Sequence, residues 1–209
     1  MIGLIYKDLM VMRKTLALYM VIFVVYGYMG IAYDQGGLLF AMVLVLSAML
    51  PVSSIAYDER CKWDKIANTA PLSRKEIVMA KYLFAILLTV FSVVVCFVIY
   101  LFDSRMPMTE KLIMCYMLTM GGMLYQALLL PVNIKFGAEK GRNIMLAIMF
   151  IPMLLVIVIS NAGVVDMSAV VLFLKNNEHL LPYIVTAIVT VMYIASVTLS
   201  VRIYENKDL

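Results

Sequence analysis

Long runs of apolar residues, separated by short polar segments, define the pattern of the whole chain. Each run is close to the roughly 20 residues that an α-helix needs to cross a bilayer. The pattern therefore predicts an all-α membrane protein in which six transmembrane helices fill most of a single domain, residues 1–209. The predicted spans are Thr15–Tyr33, Gly36–Tyr57, Ile77–Phe102, Leu112–Val132, Ile144–Asn161 and Pro182–Val201.

The segments outside the spans differ in character. Residues 1–14 form either an elbow helix in the membrane interface or a polar extension of span one. Residues 58–73 and 133–143 make two polar loops. The stretch DERCKWDKIANTAPLSRKE, residues 58–76, holds nine of the chain's 30 charged residues. Residues 162–181 contain an eleven-residue apolar run, which is too short to span and predicts a re-entrant or interfacial segment.

The distribution of basic residues predicts the orientation. With the N-terminus inside, 14 of the 17 lysines and arginines face the cytoplasm, and only Arg105, Lys111 and Lys175 lie outside. Cytoplasmic loops carry such an excess, so we expect both termini and both polar loops inside and residues 162–181 outside. Lys81, near the start of span three, is expected to snorkel to the headgroups. The net charge of +4 follows from this orientation and requires no nucleic-acid partner.

The composition and the motifs exclude several function classes. The chain is 65% hydrophobic with a mean hydropathy of +0.99, as expected of an integral membrane protein. The ATP-binding motif G-x-x-x-x-G-K-[ST] is absent, and so are H-E-x-x-H and G-x-S-x-G. His179, the single histidine, has Glu178 beside it, and the three cysteines show no spacing typical of a disulfide or a metal site. We therefore expect no enzyme activity, no metal and no cofactor on this chain.

The interiors of the predicted spans contain no Asp, Glu, His or Arg, although ion-coupled transporters usually place such residues there. Gln126, a large amide well inside span four, is the polar residue that stands out. It either forms a hydrogen bond with a neighbouring helix or lines a pathway through the membrane. If the chain moves a substrate, the energy must come from another subunit, which needs a docking surface on the cytoplasmic side.

The first polar loop has the pattern of such a docking element. Trp63, Ile66 and Ala67 recur at helical spacing among charged residues, which predicts a short amphipathic helix over residues 58–68 that Pro71 stops. Ser73 then begins S-R-K-E, a capping-box pattern in which Ser73 and Glu76 satisfy each other's backbone N–H groups. Trp63 is either an anchor in the headgroup layer or a side chain that fills a pocket on a partner.

The same residues carry a resemblance to a known family. W-x-K at 63–65 and APLSRKEIVMAKYL at 70–83 resemble the first cytoplasmic loop of the small six-span permeases of bacterial ATP-binding-cassette (ABC) exporters. KFGAEKGRNIM at 135–145 is similar to the second inner loop of that family, so the likeness covers nearly the whole chain. Within the family, the sequence most resembles the permeases that export phenol-soluble modulins and similar amphipathic peptides. The matching positions in the first loop are Asp58, Glu59, Trp63, Pro71, Ser73, Arg74, Ile77, Val78, Lys81 and Tyr82. Cys61 and Lys62 depart from the pattern.

The resemblance implies a permease subunit of the bacterial plasma membrane that pairs as a homo- or heterodimer. Separate nucleotide-binding subunits would bind ATP and Mg²⁺ and dock on short coupling helices in the inner loops. The resemblance further implies that ATP-driven closure of those subunits opens the pathway outward, and that residues 162–181 either gate the exit or cover the interface. The predicted docking residues are Asp58, Glu59, Arg60, Trp63, Lys65 and Ile66 in the first loop and Phe136, Gly137, Glu139 and Lys140 in the second.

The cargo is left open between amphipathic or antimicrobial peptides and other hydrophobic compounds. The 19 methionines suit adaptable apolar contacts with such a cargo, and they equally suit ordinary packing. A different function is also compatible with the sequence, namely a non-transporting sensor or immunity subunit that docks the same kind of ATPase. A membrane enzyme is disfavoured, because the acid–base groups that catalysis needs are absent.

Overall fold

The computed structural model describes residues 2–32, 49–63, 67, 73–102, 107–161 and 180–207. These residues form α1 (Ile2–Ala32), α2 (residues 49–60), α3 (Arg74–Leu101), α4 (Met108–Asn161) and α5 (Leu181–Glu205). No strand occurs within these ranges, so the prediction of an all-helical fold is confirmed for the part of the chain that is described.

Four of the helices contain stretches that are long and apolar enough to cross a membrane: Ile2–Gly30, Arg74–Leu101, Met108–Gly141 and Leu181–Glu205. These stretches overlap most of predicted spans one, three, four and six, and the chain is a multi-pass membrane protein. Most of predicted span two lies outside the described residues. Predicted span five forms the last part of α4. The proposed re-entrant segment 162–181, apart from its last two residues, also lies outside the described residues.

Helix α1 runs without a break from Ile2 to Ala32. The N-terminal residues therefore continue span one, and they do not form a separate elbow helix. Met12 is fully buried against Leu50 of α2 and against Phe84 and Leu88 of α3. Further along α1, Phe23 packs into a second cluster with Cys96, Tyr100 and Leu118. Contacts with neighbouring helices thus position α1 along much of its length.

Helix α4 changes direction at Gly137, whose φ of 79° and ψ of 168° are not helical. In a straight helix, residues 133 and 141 would be about 12 Å apart, at 1.5 Å per residue. Here a Cβ built on Gly141 would lie only 3.4 Å from the Cα of Asn133, so the chain folds back on itself. The predicted second loop, residues 133–143, is therefore helical on both sides of one glycine, since glycine adopts positive φ without steric cost.

Helix α3 lies at the centre of the bundle, because it contributes to all three buried clusters. Its Tyr82 hydroxyl lies 2.6 Å from the Ser196 hydroxyl and 2.7 Å from that of Ser200, both on α5. Ser196 in turn donates to the carbonyl of Ala127 on α4 at 2.6 Å. Without water in the bilayer core, polar groups must find partners within the protein, and these bonds join α3, α4 and α5.

Candidate functional site

The residues of interest gather at one end of the bundle, which we call the polar end. It comprises the first turns of α1, the last turn of α2, the first turns of α3, the bend at Gly137 and the last turn of α5. Residues from both predicted inner loops meet there. The same end contains charged side chains that are far apart in the sequence.

Helix α2 ends later than the sequence pattern predicted. Residues 58–60 belong to its last turn and do not begin a new helix. The backbone N–H of Cys61 donates to the Tyr57 carbonyl, and the backbone N–H of Lys62 donates to the Glu59 carbonyl. Lys62 has a φ of 51°. A residue with left-handed conformation commonly ends a helix in this way. The prediction of a helix beginning at Asp58 is therefore wrong at its start. Within the rest of the first loop, residues 63–73, only Trp63, Ala67 and Ser73 are described.

Four charged side chains from three helices form a compact network, here called the charge cluster: Lys7 and Asp8 of α1, Asp58 of α2 and Lys81 of α3. The Lys7 ammonium lies 2.7 Å from Asp58 and 3.1 Å from Asp8. Lys81 lies 2.9 Å from both carboxylate oxygens of Asp8 and 2.5 Å from Asp58. Two positive and two negative charges balance, which is what a site with little exposure to solvent requires.

Lys81 does not extend toward the headgroups as predicted. Its side chain is only 11% exposed, and it also donates to the Ser54 hydroxyl at 2.7 Å. The reason is the presence of Asp8, whose side chain is 3% exposed and lies against it. Three acceptor residues within the protein, Asp8, Asp58 and Ser54, replace the headgroup contact, so Lys81 joins α3 to α1 and α2.

Trp63 lies beside the charge cluster and is half-buried. It packs against the core cluster that contains Ile55, Ala67 and Ile77. The Lys7 ammonium lies 4.3 Å from the centre of its ring, within the range of a cation–π interaction. Trp63 is thus held by intramolecular contacts on at least two sides, in addition to any contact that it makes with a membrane or a partner.

Glu59 connects the two predicted inner loops. Its Oε2 accepts a hydrogen bond of 2.8 Å from the backbone N–H of Ala138, the residue that follows the bend. A Cβ built on Gly137 would lie 2.6 Å from Glu59 Oε1, so the carboxylate occupies the space that a side chain would need. The positive φ favours glycine at position 137, and any side chain there would displace the Glu59 carboxylate.

The stretch S-R-K-E determines how α3 begins. The Ser73 hydroxyl accepts from the Glu76 N–H at 3.2 Å, and the Ser73 N–H donates to the Glu76 carboxylate at 2.9 Å, which is the geometry of a capping box. The Arg74 guanidinium donates hydrogen bonds to the backbone carbonyls of Tyr204, Glu205 and Lys207, at the C-terminal end of α5. Arg74 therefore supplies a charged donor to backbone carbonyls at the C-terminal end of α5, where the regular hydrogen bonding of the helix ends.

Some predicted docking residues face outward. Arg60, Phe136, Glu139 and Lys140 are exposed, and Lys135 lies over the Phe136 ring at 5.1 Å. A groove of about 580 Å³ separates the end of α2 from the turn after Gly137, and Arg60 and Glu139 are on its walls. Asp58 and Glu59, in contrast, use their carboxylates within the chain. Lys65 and Ile66 lie outside the described residues.

Gln126 is fully buried between two helices. Its Nε2 donates to the Thr89 hydroxyl at 2.8 Å and to the Ala85 carbonyl at 3.2 Å, both on α3. Of the two roles considered from the sequence, the structure shows the hydrogen bond to a neighbouring helix. Gln126 lines none of the larger grooves found along the described helices.

Sequence reasoning did not find the roles of Lys7, Asp8 and Arg74. Asp8 is the informative case, because it lies seven residues before predicted span one, and only the continuous helix α1 brings it to the first turns of α3, where Lys81 lies. A buried carboxylate needs a cation nearby, but the predicted span boundaries did not place this pair together. Within the described residues, no group of three or more His, Cys, Asp or Glu side chains could hold a metal ion.

These features define a helical, multi-pass membrane protein without evident catalytic groups among its described residues and with a structured polar end. Comparison with protein families then places it: the chain matches the family described as ABC-2 family transporter protein over residues 3–205, and it belongs to that family. Members of that family are membrane components of ABC transporters and work with an ABC ATPase subunit. Comparisons with curated proteins and with solved structures found no match.

Proposed function

We propose that this chain is the permease subunit of an ATP-driven exporter of the bacterial plasma membrane, and that it works as a dimer with separate ATPase subunits. In this proposal the chain has six spans, both termini are cytoplasmic, and the polar end faces the cytoplasm. ATP and Mg²⁺ bind to the partner subunit. The proposed cargo is an amphipathic or antimicrobial peptide or another hydrophobic compound.

One observation carries the proposal beyond the family match. Residues from both predicted inner loops, 79 positions apart, are joined by the bond between Glu59 and Ala138. Arg60 and Glu139, one from each loop, are both exposed and line the same groove at the polar end. A partner ATPase would meet one composite surface there, formed by both loops.

The proposed cargo class is supported by the apolar surface of the bundle. A groove of about 500 Å³ between α4 and α5 is lined by apolar side chains, including Met114, Met117 and Met120. Methionine side chains are flexible and polarizable and adapt to ligands of different shapes. This groove suits contacts with an apolar ligand and offers no charged group for a hydrophilic one.

Co-purification tests the proposal. The chain, extracted in a mild detergent, should bring down a protein that carries the ATP-binding motif, and Phe136→Ala should weaken that association. Tyr183→Ala is the control, because Tyr183 is equally aromatic, 76% exposed and at the opposite end of the bundle. Failure of the wild-type chain to retain any such ATPase would contradict the proposal.

Stimulation by cargo separates transport from sensing. If the chain exports amphipathic peptides, such peptides should raise the ATPase activity of the reconstituted complex and accumulate inside inverted vesicles. A non-transporting sensor or immunity subunit would retain the ATPase and bind peptide without accumulation. That second result would replace the export assignment with the alternative considered from the sequence.

A further inference from the structure

The bond between Glu59 and Ala138 joins the end of one helix to the beginning of another. Ala138 follows the non-helical Gly137, so its N–H is among the first of the helical segment 138–161 and has no partner within that segment. A carboxylate at this position accepts the free N–H and also interacts favourably with the positive end of the helix dipole. Glu59 therefore acts as an N-cap supplied from a distant part of the chain.

The turn that carries Glu59 is itself fixed on another side. Asp58, the adjacent residue, is bound to Lys7 of α1 and to Lys81 of α3 within the charge cluster. Successive residues of a helix point about 100° apart, so these two carboxylates fasten the last turn of α2 in two different directions. A displacement of this turn must then either break one of these contacts or move its partners.

The residues that follow the cap are those predicted to dock the ATPase. Glu139 and Lys140 come directly after Ala138 and are exposed, while Arg60 follows Glu59 on α2 and is exposed as well. The contact between Glu59 and Ala138 thus sets the relative position of the two exposed groups. Lengthening or loss of this contact would leave each group in place on its own helix but free to move separately.

We propose that Glu59 is a positioning residue that couples the two inner loops, so that a displacement applied to the end of α2 is transmitted to the helix beginning at Ala138. This inference rests on the proposed function, because the displacement is the one that the ATPase would impose. It assigns Glu59 a role inside the permease, different from the direct contact with the ATPase that the sequence suggested.

Hydrogen exchange tests the cap itself and needs no ATPase. In Glu59→Ala, amides in the segment 138–141 should exchange about fivefold faster than in the wild-type chain, which is the effect expected from loss of one helix cap. Glu59→Gln keeps an acceptor oxygen and should exchange at an intermediate rate. Glu205→Gln removes an exposed carboxylate at the same end of the bundle and should leave these rates unchanged. Equal exchange in all variants would overturn the proposal.

The coupling is tested in the complex with the ATPase. In Glu59→Ala, stimulation by an amphipathic peptide, measured per molecule of bound ATPase, should fall about fivefold, as the cap is lost. Gly137→Ala should lower the stimulation at least as much, since its Cβ would displace the Glu59 carboxylate and alanine is also strained at this positive φ. The double variant should be no worse than Gly137→Ala alone, because that variant already removes the contact.

The outcomes distinguish this inference from the proposed function. Loss of ATPase binding in Glu59→Ala, with an intact fold, would show that Glu59 contacts the partner and would overturn the positioning role alone. Unchanged stimulation in Glu59→Ala would do so as well. If Glu59→Ala does not fold, the comparison of Glu59→Gln with Glu205→Gln decides by the same readouts. Absence of any ATPase partner for the wild-type chain would overturn both proposals.

Discussion

Replacement of Lys81 by methionine should strongly destabilise the bundle, although the two side chains have similar length. Lys81 contacts both carboxylate oxygens of Asp8, one oxygen of Asp58 and the hydroxyl of Ser54. The side chains of Asp8 and Asp58 are only 3% and 13% exposed. In Lys81→Met, two nearly buried carboxylates would share Lys7 as their single cation in the cluster.

The magnitude follows from the charge balance. Removal of one partner from a buried ion pair costs about 3–5 kcal/mol, because the remaining charge loses its compensation. Lys7 stays 2.7 Å from Asp58 and 3.1 Å from Asp8 and compensates part of the excess charge. We therefore expect a loss near the lower limit, about 3 kcal/mol. The double variant Asp8→Asn, Lys81→Met leaves one cation, Lys7, and one anion, Asp58. It should be about 2 kcal/mol more stable than the sum of the two single substitutions predicts.

The assay is the apparent melting temperature of the purified chain in one detergent at one scan rate, because unfolding of such proteins is often irreversible. A loss of about 3 kcal/mol corresponds to a decrease of roughly 6–12 °C for a chain of this size. Lys75→Met is the matched control, since Lys75 lies in the first turn of α3 and is exposed. The reasoning is refuted if Lys81→Met melts within about 2 °C of wild type, or if the double variant is no more stable than Lys81→Met.

Three further predictions concern other contacts of the bundle, and the same melting assay checks each of them. Arg74→Ala should lower the free energy of unfolding by about 1–2 kcal/mol and make the end of α5 sensitive to protease, because several terminal carbonyls lose a charged donor. An unchanged digestion pattern would contradict this expectation. Ser73→Ala should lose about 1 kcal/mol with its helix cap, and Ser73→Asp should lose much less. Gln126→Leu should lower the stability of the bundle by about 1 kcal/mol or less, because its interhelical hydrogen bonds are lost, and it should leave transport intact. Loss of transport in a folded variant would assign Gln126 to the pathway.

Local patterns were sufficient for much of the fold. Apolar runs of adequate length predicted four spans that the described helices contain, since the bilayer sets the length of a spanning helix. The beginning of α3 also followed from local chemistry, because the capping box involves only Ser73 and Glu76, three residues apart. Where both partners of an interaction lie within one turn of helix, the sequence by itself defines the geometry.

The end of α2 was predicted less well, because distant residues determine it. Asp58 and Lys7 are 51 positions apart, and Glu59 and Ala138 are 79 apart. The charged residues 58–60 indicated the beginning of a solvated helix, whereas two of them have partners on other helices. The bend at Gly137 was likewise hidden, because a glycine among helix-forming residues does not by itself specify positive φ.

The density of charges in the first loop therefore has a structural cause that the sequence pattern concealed. The last turn of α2 packs against α1 and α3 on one side and approaches the bend of α4 on another. Because consecutive side chains on a helix diverge by about 100°, three charged residues in a row meet three different environments. Asp58 and Glu59 satisfy the chain's own cations and N–H groups, and Arg60 remains exposed. A docking surface should accordingly be sought among the exposed residues Arg60, Phe136, Glu139 and Lys140, while variants at Asp58 and Glu59 should report on how that surface is held together.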